Sequence, residues 1–139
     1  AAVVLVSEKK LEEWKLAPLA RLLDHSRAAV DPKIMGIAPV PAVRQLLEKN
    51  RWTLASFELI ELNEAFAAQV LACDAELHFP HEKLNVNGGA IALGHPIGCS
   101  GARITVTLVH ELRKRGGGRG LATLCVSGGQ GLALAVEAV

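Results

Sequence analysis

The residues from Ser100 to about Arg115 constrain this chain more than any other stretch. Ser100 can cap a helix, and behind it Ala102, Ile104, Val106, Leu108, Val109 and Leu112, with the small Thr105 and Thr107 between them, leave almost no polar face. A helix that covers one side of a sheet keeps a polar stripe toward solvent. This one therefore reads as buried on both sides, with an apolar surface helix as the alternative. The chain has residues for one sheet only, so the second layer would come from something outside it. Arg113, Lys114 and Arg115 suit the helix C-terminus through the dipole, and "GGGRG" ends the helix with residues that tolerate positive φ.

The remaining elements alternate. "AAVVLVS" reads as a buried strand, "SEKKLEEWK" as a short charged helix, and "PLARLLDHSRAAV" as a strand with helix as the rival. Pro39 and Pro41 suit a helix start, and "AVRQLLEKN" carries apolar residues at helical spacing until Asn50 and Arg51 end it. "FELIEL" is a strand. Asn63, in a capping position, opens "NEAFAAQVLACDAEL", where Ala67, Val70 and Leu71 share the helical period. "LATLCVS" and "LALAVEAV", separated by "GGQG", close the chain as two strands. Strands alternating with helices, followed by a tight reversal, predict a layered α/β domain over residues 1–139. The opening lacks a methionine or polar run-in, so the chain reads as a fragment that starts inside a structural element.

Composition excludes several functions. A net charge of +1, with three Phe, two Trp and no Tyr, offers neither a basic footprint nor a stacking platform for nucleic acid. No apolar run reaches the roughly 18 residues of a membrane span, and no basic-then-apolar leader is present. Cys73, Cys99 and Cys125 are an odd set spaced by twenty-six residues, which fits neither a disulfide framework nor paired zinc ligands. A reducing, cytoplasmic setting is expected, with no metal site.

Few residues are placed for chemistry. His95 lies between Gly94 and Pro96 in a loop that lets backbone approach a ligand, and its imidazole is the side chain most easily poised as a base near neutral pH. Turn formation by the same glycines and proline accounts for that loop equally well. Cys125 ends a strand directly before "VSGGQG", where its thiol faces N–H groups able to hold an oxyanion; a buried structural cysteine is the competing reading. Cys73 and Cys99 read as packing residues, and His25, His78, His81 and His110 as solvated ones. The spacing of Gly94, Gly98 and Gly101 does not match the dinucleotide fingerprint.

Together, "NEAFAAQ" at 63–69, "NVNGGAIALGHPIGCSGAR" at 85–103 and "LATLCVSGGQG" at 121–131 resemble the C-terminal half of the thiolases, the acyl-CoA C-acyltransferases. The order and separations agree, as does "DPKIMGIAPVPA" at 31–42, and the resemblance covers essentially the whole chain. It implies one of two similar halves, each a five-stranded mixed sheet with helices on both faces, stacked so that a helix from each half lies between the sheets. The layer beyond the Ser100 helix would then be the N-terminal half.

The resemblance further implies Claisen condensation of acyl-CoA, or thiolysis of a 3-ketoacyl-CoA, through an acyl-cysteine. His95 would take the proton of the nucleophilic cysteine and, with a water held by Asn63, stabilise the thioester oxygen. Cys125 would be the acid/base at the α-carbon; a thiol suits that task when its pKa, ordinarily near 8.5, shifts slightly down. Met35, Ala65 and Phe66 look like acyl-pocket lining. Ser127 stands where thiolases usually have glycine; its backbone N–H would serve an oxyanion hole, with strain expected if φ there is positive. The nucleophilic cysteine has no counterpart in this chain. Coenzyme A thioesters would be the substrates with no cofactor, the N-terminal half the partner, and a homodimer or homotetramer the assembly. Two other readings stand beside this one: a Cys–His hydrolase using Cys125 and His95, and a non-catalytic thiolase-like assembly or lipid-binding module.

Overall fold

The computed structural model describes residues 1–139. Four strands form one sheet in the order β1–β4–β3–β2: β1 Ala20–Ala29, β2 Leu59–Leu62, β3 Gly118–Val126 and β4 Gln130–Ala138. β1 and β3 both pair antiparallel with β4, whereas β2 lies parallel to β3. Five helices accompany them: α1 Glu8–Glu13, α2 Pro39–Asn50, α3 Ala67–Leu77, α4 Ala90–Leu93 and α5 Ser100–Lys114. The segment read as a helix-rivalled strand is β1, and the two closing strands are β3 and β4.

Period-2 alternation divides the sheet into two faces. Leu121, Ala133, Ala135, Ile60 and Leu62 point to a core shared with Val43, Leu46 and Ala42 of α2 and Cys73 of α3. Leu59, Ala122, Val136 and Ala138 point the other way, onto Ile104, Leu108, Val109 and Leu112 of α5. Helices thus cover both faces. Prolines in the first turn start α2 without losing an intrahelical bond, and Arg51 in the left-handed region (φ 55°) stops it.

Four expectations need correction. The sheet has four strands, not five, because residues 1–6 join no ladder and are largely exposed. An apolar run alone cannot make a strand when no neighbour supplies ladder hydrogen bonds. Asn63 does not cap a helix; α3 starts four residues later, after Phe66 in extended conformation. Ser100 is the first residue of α5 rather than its cap, a position held by Cys99. α5 is also less uniformly apolar than its sequence suggested, since Ser100 and Glu111 are buried within it and Arg103 is half-buried. Its outer face, including Ala102, Thr105 and Val106, lines an open apolar cleft of about 1150 Å³ beneath residues 2–6.

Candidate active site

The parallel pair β2–β3 sets the position of the site. Leu62 lies opposite Thr123, and the Asn63 N–H continues the ladder by donating to the Thr123 carbonyl at 2.9 Å. Asn63 and Cys125 therefore both stand at the carboxyl ends of adjacent parallel strands, where α/β sheets characteristically bind ligands. The Asn63 side chain is completely buried. Its Nδ2 lies 3.4 Å from His95 Nε2, while its Oδ1 accepts no hydrogen bond from the protein.

His95 is brought there by a loop with its own fastenings. Asn85 sits at φ 46°, which ends any strand, yet its carboxamide substitutes for backbone pairing along the edge of β2: Oδ1 accepts from the Leu62 N–H and Nδ2 donates to the Leu62 carbonyl, both at 2.9 Å. Only a single bridge, Ile60 with Leu84, remains of regular pairing on that edge. Glu64 then takes a second Asn85 Nδ2 contact at 3.0 Å and the Ile91 N–H at 3.0 Å, clamping the start of α4. Gly94, at φ 96°, closes α4 and turns the chain so that His95 faces back to Asn63. On its other side His95 Nδ1 meets Ser100 Oγ at 2.6 Å, and that hydroxyl donates to the Pro96 carbonyl at 3.1 Å. Sequence reading missed Glu64, Asn85 and Ser100 as parts of the site. Of these, only Ser100, five residues beyond His95 at a helix start, had a local signal.

Cys125 is buried on the face of β3 that carries Leu121, toward α2 and α3. Burial pushes its thiol up from the usual range, only partly opposed by its own backbone N–H, so the small downward shift expected of a base is absent. Burial likewise raises the Cys73 thiol; the Gln69 hydrogen bond pulls it down, and the nearby Cys125 adds to the rise. No hydrogen bond joins Cys125 to His95 or Asn63, which removes the direct thiol–imidazole contact a Cys–His hydrolase requires.

Ser127 opens the exposed turn between β3 and β4. Positive φ there is taken by Gly128 (81°) and Gly129 (85°), so Ser127 is free of the strain considered for it. The Gly129 carbonyl accepts from the Val30 N–H at 2.8 Å, which ties this turn to the end of β1. Met35 is half-buried in a 3-10 turn, Pro32–Ile37, that packs against α3, β3 and β4. Ala65 is half-buried, and Phe66 is 63% exposed, on the rim rather than within a closed pocket. No cluster of three or more His, Cys, Asp or Glu side chains is placed to hold a metal ion. No helix is long and apolar enough to cross a membrane.

An α/β sheet with helices on both faces, an Asn–His pair at its parallel strand ends and a cysteine on the adjoining strand define a thiolase-type half. Residues 16–138 match the family model described as the thiolase C-terminal domain, and the chain belongs to that family. It is 56% identical over 137 residues to an acetyl-CoA acetyltransferase of Allochromatium vinosum, covering 99% of this chain and 35% of that protein. The crystal structure of the Bacillus anthracis acetyl-CoA acetyltransferase superposes with a TM-score of 0.93 at 59% identity, over 96% of this chain and 34% of that one. Human mitochondrial 3-ketoacyl-CoA thiolase in complex with CoA gives 0.92 at 48% identity, over 95% and 34%. The chain therefore spans about a third of the length of these relatives.

Proposed function

We propose that this chain is the C-terminal catalytic portion of an acetyl-CoA C-acyltransferase, which condenses two acyl-CoA molecules or cleaves a 3-ketoacyl-CoA with CoA. The observation that carries the reading is the His95 Nε2 contact with the buried Asn63 at the carboxyl ends of β2 and β3, one strand from Cys125. His95 takes the proton of a nucleophilic cysteine supplied by the N-terminal half. That sulfur attacks the thioester carbonyl, the acyl group moves to cysteine, and CoA leaves as the thiol. The Cys125 thiolate then removes the α-proton of a second acyl-CoA. The resulting carbon attacks the acyl-cysteine, whose sulfur departs and takes up, through His95, the α-proton that Cys125 then releases. In thiolysis the same steps run backward, and the Cys125 thiol protonates the released carbanion. A thiol raised by burial is the acid at rest, ready for thiolysis, and must lose its proton before condensation begins.

The unpaired Asn63 Oδ1 supports the assignment of a water beside the thioester oxygen, and the Ser127 N–H is assigned to the second oxyanion hole. Met35, Ala65 and Phe66 are assigned to the acyl pocket. No cofactor is assigned, because both half-reactions move only protons and an acyl group. The reading includes a homodimer or homotetramer, and a cytoplasmic location fits three free thiols.

Acyl-enzyme mass spectrometry and turnover of the intact enzyme test the roles together. Cys125→Ala is expected to abolish condensation while an acyl-cysteine still forms elsewhere. His95→Ala is expected to lower both acylation and condensation by about 10²–10⁴-fold, the usual range for losing a general base. An acyl label mapped to Cys125 itself would replace this assignment with a hydrolase, and normal acylation in His95→Ala would remove His95 from its role.

A further inference from the structure

We infer that Ser100 is a positioning residue for the acyl-transfer reaction proposed above: its hydroxyl holds the proton of His95 on Nδ1 and so presents the Nε2 lone pair toward Asn63 and the substrate. The inference rests on that functional reading, but its geometry is independent of it.

Ser100 Oγ is a single-proton donor with two neighbours, the Pro96 carbonyl oxygen at 3.1 Å and His95 Nδ1 at 2.6 Å. The carbonyl can only accept. If the hydroxyl proton points to Pro96, Oγ must receive the short bond from an Nδ1–H. A one-directional chain then runs from Asn63 Nδ2–H to His95 Nε2, from Nδ1–H to Ser100 Oγ, and from Oγ–H to Pro96 O, with each donor facing an acceptor. The opposite arrangement, Oγ–H to Nδ1, places an N–H on Nε2, gives up the Pro96 bond and requires the Asn63 amide to be turned over. Three bonds form in the first case and two in the second. The first is favoured because it makes one more bond within a buried cluster, where successive hydrogen bonds strengthen one another.

Placement explains why serine can do this reliably. Ser100 is 1% exposed, so water does not compete for Nδ1. As the first residue of α5 it is anchored by its own N–H to the Pro96 carbonyl at 3.0 Å, and the Cys99 N–H reaches the same oxygen at 2.7 Å. The six-residue segment from His95 to Ser100 is thereby closed on itself, and imidazole and hydroxyl form a rigid unit. A general base acts only through a nitrogen without a proton, and the partner of the other nitrogen decides which one that is. When His95 accepts a proton at Nε2, the Nδ1–H bond to Oγ becomes charge-assisted and steadies the imidazolium.

The test is ring-nitrogen NMR of histidine-labelled intact enzyme, with the His95 signals assigned by loss in His95→Gln, alongside kinetics of Ser100→Ala and Ser100→Thr. Wild type is expected to show Nδ1 protonated and Nε2 unprotonated. Ser100→Ala should give a tautomer mixture, a kcat lower by about 10–100-fold at nearly constant KM, and an altered pH profile, the usual size of effect for losing an outer partner that fixes a functional histidine's tautomer. Ser100→Thr, which keeps the hydroxyl, should recover most of the wild-type spectrum and rate. Amide spectra of Ser100→Ala that match wild type away from the site separate a local effect from misfolding. A wild-type His95 protonated on Nε2, or an unchanged tautomer in Ser100→Ala, overturns the inference. If the intact enzyme transfers no acyl group yet shows the Nδ1–H tautomer that Ser100→Ala loses, the proposed function fails and the hydrogen-bond assignment stands.

Discussion

Glu61 on β2 is a carboxylate placed where charge is costly. Its side chain is 3% exposed on the α5 face, and its one ionic partner, Arg103 Nη1, lies at 3.3 Å. Burial pushes its pKa up from 4.5 to about 7; the Arg103 charge and hydrogen bond oppose the rise and Glu64 adds to it. The folded state thus holds a proton that the unfolded chain releases between those values. Glu61 contributes stability that is fully present below about 4.5 and is lost as pH rises through about 7. The shift corresponds to about 3 kcal/mol. Urea unfolding of the intact protein, wild type against Glu61→Gln, is expected to show the glutamine variant gaining up to that amount as pH is raised from 5 to about 8.5. A difference that stays constant with pH would place Glu61 at its ordinary pKa. At this scale the sequence singled out residues by type and setting, and the fold brings two of them together: His95, between Gly94 and Pro96, meets Asn63, at the end of "FELIEL", while Cys125, before a glycine turn, stands on the adjoining strand. It pointed to a slightly lowered Cys125 thiol where burial raises it, and it was silent on Glu61, because burial is decided by which face of a strand meets a helix distant in sequence.

The element that delivers His95 is a loop, and its order depends on one glycine. Gly89 has φ −126°, which any residue adopts, so it is required for space and not for backbone freedom. A methyl group there would overlap the Glu64 carboxylate, which holds Asn85 and the Ile91 N–H. Gly89→Ala is therefore expected to lower the unfolding free energy by about 1–3 kcal/mol, the cost of overpacking a rigid site, and to reduce turnover by disturbing the path to His95. In a Glu64→Ala background the same change should cost much less, since the overlapping group is gone, and urea unfolding of the four proteins in the cycle measures this coupling. Equal costs in both backgrounds would show that Glu64 is not the obstacle. The regular elements were largely legible: α2 from its prolines and its stop at Asn50 and Arg51, α5 from its apolar run, β3 and β4 from the two strand-like runs separated by "GGQG". The start of α3 and the fate of residues 1–6 were not. Asn63 has a good cap's chemistry but is drawn into the β2–β3 ladder, and a strand-like sequence needs a partner that local pattern does not reveal.

For the whole molecule, the decisive feature is the outer face of α5. Ala102, Thr105 and Val106 share an open apolar cleft of about 1150 Å³ with residues 2–6, among which Val4 is 87% exposed. Around the site, Phe66, Ile91, Leu93 and Ile97 are likewise exposed. Contiguous apolar surface of this kind, beyond a few hundred Å² on a soluble protein, marks an interface. Relatives of this chain are nearly three times its length. If the proposed function is right, these 139 residues produced alone should show no thiolysis of acetoacetyl-CoA, because an acid/base pair without an acyl-accepting cysteine cannot complete a two-step transfer. They should also self-associate in sedimentation and bind a hydrophobic dye. Mixing with a separately produced N-terminal half should yield a soluble complex and restore measurable turnover, since burying the α5 face drives the two together. Substantial activity of the chain alone would mean that the nucleophile lies within it. A dye-silent monomer would instead show that residues 2–6 and α5 cover each other in solution, and the apolar helix would then require no second layer.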